Sequence, residues 1–232
     1  MVIGFMPRVN VRLVSWEDIV DWAWGLADKI RSSGYKPDVV VALARGGYVP
    51  ARLICDFLDI ENLLSIQSQH WTEAAKAEER AIIKFPYKID LSGMKVLLVD
   101  DIVDTGDTLS LAKRFVEENW KPTEARTAAL QWISPVARFK PDYYYIEVKE
   151  WIWFQYPWTR LEDTYQFIKR MMLETHKETG KKEWAYHEII EGFKEWYGIN
   201  VGERYYRDAL RILEEKDLIK YDGSTKKYVL NI

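Results

Sequence analysis

Hydrophobic positions along the chain follow two regimes. In the first, short continuous aliphatic runs alternate with stretches of helical spacing. Val39–Ala44 (VVVALA), 62–67, 96–99, 125–131 and Tyr143–Val148 are β-branched or aliphatic runs of strand length, and they predict five strands. Helices are expected over Trp16–Ser32, around 50–58 and over Asp107–Asn119. Ser15 is placed to cap the first of these and Gly34 to stop it. Strands that are apolar throughout and alternate with helices imply a mostly parallel sheet covered on both faces. The stretch 69–82 is polar and charged without a clean period, so it reads as an exposed loop.

The pattern changes after Trp158. Leu161, Tyr165, Ile168 and Met172 fall at helical spacing, as do Tyr186, Ile189, Ile190, Phe193 and Tyr197, and then Tyr206, Ala209, Leu210 and Leu213. Gly180 and Gly198 sit where such helices would stop. Runs at 218–221 and Lys227–Leu230 flank Asp222-Gly223 and predict a closing hairpin. The expected organisation is an α/β domain over 1–158 and a helical appendage over 159–232.

Composition narrows the chemistry. The 232 residues carry a net charge of −3, so the chain as a whole does not attract nucleic acid. One cysteine, Cys55, excludes an internal disulfide framework, and three scattered histidines give no zinc spacing. No run approaches the length of a bilayer span and the N-terminus lacks a secretory apolar core, so a cytoplasmic protein is expected. Eleven tryptophans are an excess that either core packing or a stacking surface for flat rings would explain.

Residues 96–109 read VLLVDDIVDTGDTL. Aliphatic residues bury a strand, and Asp100 and Asp101 emerge at its carboxyl end, where open α/β sheets bind ligands. Asp104-Thr105-Gly106-Asp107-Thr108 then turns directly into a helix N-terminus. Backbone amides, the helix dipole and two threonine hydroxyls there form an anion cradle suited to phosphate. Acids for hydroxyls beside a cradle for phosphate suit a sugar phosphate. Neither a P-loop string nor a dinucleotide glycine fingerprint is present.

The whole string resembles the binding motif for 5-phosphoribosyl-1-diphosphate (PRPP) of type I phosphoribosyltransferases. That resemblance implies that family's α/β fold, here with a mostly parallel five-stranded sheet flanked by helices, and a C-terminal helical bundle added. VVVALARGGYVPARLICDFL is similar to the family's diphosphate loop and its following helix. On it Arg45 and Gly46 would meet diphosphate, and a cis peptide is expected at Ala44–Arg45. Residues 69–82 correspond to a loop that closes over the reaction centre in the family, with Arg80 and Lys84 as candidates to touch diphosphate.

The ending YYYIEVKEWIWFQYPW resembles the purine hood of the xanthine–guanine type. This implies that Trp153 stacks on the base with Phe154 beside it. Those enzymes place a lysine before a proline nineteen residues ahead of the hood tryptophan, whereas Ser134-Pro135 stands there in this chain. A serine hydroxyl or a backbone carbonyl can accept from an exocyclic amino group. The expected substrate is therefore adenine, converted with PRPP to AMP and diphosphate with inversion at the anomeric carbon, as in crenarchaeal adenine phosphoribosyltransferases of 6-oxopurine lineage. Hypoxanthine, guanine or xanthine is the alternative, with Lys140 or Lys149 as the replacement donor.

By the same resemblance Mg²⁺ bridges PRPP oxygens, with Asp100 and Asp101 reaching it through substrate or water. Asp104 handles a base proton, and the chain forms a homodimer. A PRPP-sensing regulator with a winged-helix tail is the competing class. Ten basic and ten acidic side chains from Lys181 onward argue against that class and against a nucleic-acid partner.

Overall fold

The structure is a computed structural model. It describes residues 7–72 and 79–231, with side chains at 7–68 and 82–231. In chain order the elements are β1 (Val11–Leu13), α1 (Trp16–Ser32), β2 (Val39–Ala44), α2 (Tyr48–Leu58), β3 (Asn62–Thr72), β4 (Glu79–Lys84), β5 (Lys95–Val103), α3 (Asp107–Asn119), β6 (Glu124–Ile133) and β7 (Tyr143–Val148). They continue with β8 (Trp153–Gln155), α4 (Arg160–Thr179), β9 (Glu183–Ala185), α5 (Tyr186–Tyr197), α6 (Glu203–Glu215), β10 (Ile219–Asp222) and β11 (Lys227–Leu230). The chain forms two compact units, one over Trp16–Trp151 and the other over Met1–Ser15 with Ile152–Ile232.

The unit over Trp16–Trp151 is built on one sheet, ordered β4-β3-β2-β5-β6-β7. All neighbours are parallel except β3 and β4, which run antiparallel. Val39, Val41 and Leu43 on β2 and Val96 and Leu98 on β5 pack with Leu109, Ala112, Val116 and Trp120 of the α3 segment. The intervening residues Val40, Ala42, Leu97 and Val99 are also buried, so the sheet is covered on both faces. Helix α1 buries Ile19, Trp22, Ala23, Leu26, Ala27 and Ile30, a three–four spacing that presents one stripe to the core. Its acids Glu17 and Asp18 open the helix and its bases Lys29 and Arg31 close it, matching the helix dipole at both ends.

The sheet has six strands, where five were expected. The polar stretch read as a loop contains the end of β3 and the start of β4, paired from Gln67–Lys84 to Thr72–Glu79. Antiparallel pairing at a sheet edge is held by backbone hydrogen bonds and needs no hydrophobic period, which is why the pattern did not reveal it.

The other unit buries Phe167, Ile168, Met171 and Met172 of α4 against Ile189, Phe193, Trp196 and Tyr197 of α5 and Tyr206, Leu210 and Leu213 of α6. Phe167 and Tyr197 stack at 4.3 Å, and the Tyr197 hydroxyl donates to the Phe167 carbonyl at 3.0 Å. Two features separate this unit from a helical bundle closed by a hairpin. Strand β9 joins the hairpin to make a three-stranded sheet, ordered β10-β11-β9. In addition, β1 pairs in parallel with β8, Val11 opposite Trp153 through Leu13 opposite Gln155. This pairing ties the N-terminal segment to residues beyond 151, so the division falls earlier than the expected boundary at 158. Among the described residues no helix is long and apolar enough to cross a membrane.

Candidate active site

Strand β5 runs two residues past the acid pair, so Asp100 and Asp101 stand on the strand itself. The Asp101 amide donates to Asp100 Oδ1 and the Ile102 amide to Asp101 Oδ1, both at 2.9 Å. Each carboxylate is thereby held by the amide that follows it. Asp101 is 9% exposed. Burial pushes the Asp100 carboxyl well above the usual carboxylate range, and the neighbouring Asp101 pushes the same way.

The turn after β5 is built around Gly106. Its φ of 86° is left-handed, and a Cβ there would stand 2.6 Å from Phe139 Cβ. Glycine brings no side-chain cap to α3, so the turn leaves the helix entrance to backbone groups. Thr105 Oγ1 donates to Asp107 Oδ2 at 3.1 Å, and the Arg138 amide donates to the Thr105 carbonyl at 2.8 Å. The loop is therefore anchored from both sides. A cavity of about 280 Å³ opens here, lined by Asp100, Ile102, Val103, Asp104, Thr105, Gly106, Thr108 and Leu109. Asp104 is exposed at its edge, and Asp107 is half-buried beside Thr105.

The second loop follows β2. The Ala44–Arg45 peptide is cis, as the resemblance implied. Arg45 is exposed, and the Gly47 amide closes the turn onto the Leu43 carbonyl at 2.8 Å. Gly46 lies directly against the Asp101 carboxylate, with its Cβ position 2.6 Å from the carboxyl carbon. Gly47 lies against the carbonyls of Leu43 and Val99. The loop after β2 therefore touches strand β5 through Gly46 and Asp101, and the expected diphosphate and ribose residues are brought to one end of the sheet.

Lys84 pairs with Gln67, which pairs with Ala44, so the register sets Lys84 at the same end of the sheet as Arg45. Its Nζ lies 5.1 Å from the Phe85 ring centroid. The Arg80 side chain lies outside the described residues. Ser134 follows β6, and its hydroxyl donates to the Val148 carbonyl at 3.4 Å. Trp153 and Phe154 belong to the other unit, on β8. Strand alternation separates them: Trp153 is 37% exposed with its ring edge-on to Phe167, whereas Phe154 is 8% exposed. Lys140 Nζ lies over Trp132, 5.0 Å from the ring centroid. Sequence reasoning missed the apolar lining of Ile102, Val103 and Leu109. The available signal was the position of Ile102 and Val103 between the acids and the turn.

Among the described residues no group of three or more His, Cys, Asp or Glu side chains is arranged to hold a metal ion. The donor set fits a different arrangement. Asp100 and Asp101 are two crowded carboxylates, one of them desolvated by burial, and Mg²⁺ is commonly held by one or two carboxylates with substrate phosphates and water supplying the rest. Asp100 and Asp101 would hold it in that way.

A model of the phosphoribosyl transferase domain matches residues 12–163. The chain is 32% identical over 161 residues to a xanthine-guanine phosphoribosyltransferase of Cereibacter sphaeroides, covering 66% of this chain and 89% of that protein. It is 33% identical over 151 residues to one of Desulfotalea psychrophila, covering 62% and 84%. The solved structure of a purine phosphoribosyltransferase from Pyrococcus horikoshii superposes with a TM-score of 0.54 at 32% identity, covering 63% of this chain and 92% of that one. These relatives overturn the expected adenine specificity and give the crenarchaeal adenine lineage no support, since those named for a base are named for xanthine and guanine. The error has a physical source. Ser134 was read as an acceptor, but a hydroxyl donates as readily as it accepts and does not discriminate an amino group from a carbonyl.

Proposed function

The chain belongs to the phosphoribosyl transferase domain family, and from that premise we propose that it transfers the 5-phosphoribosyl group of PRPP to a 6-oxopurine, namely xanthine, guanine or hypoxanthine. The observation that carries this reading is one cavity in which Asp100, Asp104 and a glycine-led helix entrance face one space. The names of the relatives support the base class.

In this mechanism the Thr105–Thr108 turn receives the 5′-phosphate, where amides and hydroxyls are preorganised and the α3 dipole favours negative charge. Asp100 and Asp101 hold the ribose hydroxyls. Asp100 and Asp101 would also hold Mg²⁺, which when bound would supply positive charge against the diphosphate. Arg45 and the amides about Gly46 receive the leaving diphosphate, and Lys84 adds charge from β4. The C1–oxygen bond breaks as positive charge develops on the anomeric carbon, which the fixed carboxylates stabilise. Purine N9 then bonds to C1 from the opposite face with inversion, and Asp104 accepts the base proton.

Ile102, in the cavity lining, offers an apolar wall to a flat ring. Ser134 is assigned to the exocyclic oxygen, its hydroxyl turning from the Val148 carbonyl to donate. Phe154, buried within its own unit, is assigned to packing. A cytoplasmic homodimer completes the proposal, supported by the family resemblance.

Initial rates with PRPP, Mg²⁺ and each base test the reading, with formation of XMP, GMP or IMP as its support and failure with all three as its refutation.

A further inference from the structure

The C-terminal unit contains an element order that the sequence pattern concealed. From α4 onward it reads helix, strand, helix, helix, strand, strand, because β9 intervenes between α4 and α5 and pairs with β11. Helices α5 and α6 are joined by a short turn over 198–202 containing Gly198 and Gly202, both with left-handed or positive φ. A helix-turn-helix braced by a three-stranded sheet whose hairpin projects beside the second helix is the topology of a winged helix. The hairpin is fastened to α6, since the Tyr221 amide donates to Glu214 Oε1 at 2.9 Å. Asp222 stiffens the tip by accepting from the amide and hydroxyl of Ser224 and from the Thr225 hydroxyl.

The charge on this unit is balanced in total, and α6 carries three arginines interleaved with four acids. Helix α6 turns Tyr206, Ala209, Leu210 and Leu213 inward. Outward it carries Arg204, Arg207 and Arg211, at the three- and four-residue steps that make one row. The three side chains are 94%, 66% and 58% exposed. Their partners Asp208, Glu203 and Glu215 lie on the same helix, and such exposed pairs hold a cation by no more than about 1 kcal/mol. Phosphate oxygens can displace them. The hairpin adds the exposed Lys220 and Lys226, and Lys227, which pairs with Glu183 at 3.4 Å.

We propose that this unit binds duplex DNA, with α6 entering the major groove from its N-terminal end and the β10–β11 hairpin reaching the adjacent backbone. The row of arginines on the second helix is where a helix-turn-helix meets base edges and phosphates. The major groove of B-DNA admits an α-helix, whereas that of A-form RNA is too narrow, so DNA is the occupant the geometry favours. The proposal is independent of the phosphoribosyl-transfer reading, and its test separates the two.

The full-length protein is titrated into a fluorescent mixed-sequence DNA duplex of about 30 base pairs, at salt concentrations from about 50 to 200 mM. Wild type is expected to bind with an affinity that falls linearly on a log–log salt plot. R204A/R207A/R211A is expected to lose about tenfold or more and to reduce the slope by about 2–3, and K226A/K227A by about 1–2. Both variants retain wild-type phosphoribosyl transfer, which reports that the chain is folded. No binding at the lowest salt, equal binding by wild type and both variants, or preference for an RNA duplex of equal length would overturn the proposal.

Discussion

Gly46 and Asp101 meet across neighbouring strands β2 and β5, with no room between them for a side-chain carbon. The loop assigned to diphosphate and the acid assigned to ribose are therefore placed by one contact. A methyl group at position 46 must push the Asp101 carboxylate or the loop aside. Gly46→Ala is expected to lower kcat/KM by about 100-fold, the scale of a displacement near 1 Å at a reacting centre. Steady-state kinetics check this, and wild-type kinetics would show that the contact does not position the acid.

Gly106 makes the second close approach. Its φ of 86° and its contact with Phe139 both oppose a side chain. Gly106→Ala is expected to cost about 1–3 kcal/mol of stability. It is also expected to raise the KM for PRPP by more than about tenfold, because the amides at the α3 entrance move with the turn. Thermal unfolding and PRPP-dependent rates measure the two effects separately.

Asp104 is exposed at the cavity edge and is assigned the base proton. Asp104→Asn is expected to slow turnover by about 10²–10⁴-fold, the usual contribution of a positioned acid or base, while largely sparing PRPP binding. Unchanged turnover would remove that role.

The two hood aromatics are expected to separate by mutation. Trp153→Ala should cost the lesser share of stability, since its ring is 37% exposed. Phe154→Ala should cost about 3–5 kcal/mol in unfolding experiments, since that ring is buried. The reverse pattern would exchange their roles.

Three hydrogen bonds from Ser224 and Thr225 hold the Asp222 carboxyl down at about 2. An unfolded aspartate titrates near about 3.9, so this turn stabilises the folded chain fully above that pH. The contribution is lost as pH falls through about 2. Asp222→Asn is expected to be less stable than wild type at neutral pH, with the gap closing toward pH 2. Denaturant unfolding across this range checks it, and a constant gap would contradict it.

Much of the fold and site was legible because it rests on buried runs and special turns. The aliphatic strands β2, β5 and β6 announce themselves by runs of buried residues, and α3 begins at Asp107, as the Asp-Thr-Gly turn requires. Asp100, Asp104, Thr105, Gly106 and Thr108 line one cavity because they are consecutive around one strand end. What escaped depends on partners distant in sequence. Strands β1, β8 and β9 have three residues each, too few to show a period. The contact between Gly46 and Asp101 follows from β2 and β5 being neighbours, which no local pattern states. The base escaped for a chemical reason, since the hydroxyl of Ser134 suits an amino group and a carbonyl equally.

The most direct test of the account is the base panel: initial rates of diphosphate release with PRPP, Mg²⁺ and xanthine, guanine, hypoxanthine or adenine in turn. The account predicts nucleotide formation with one or more of the 6-oxopurines and little with adenine. Rapid AMP formation from adenine, with none of the other three consumed, would contradict it.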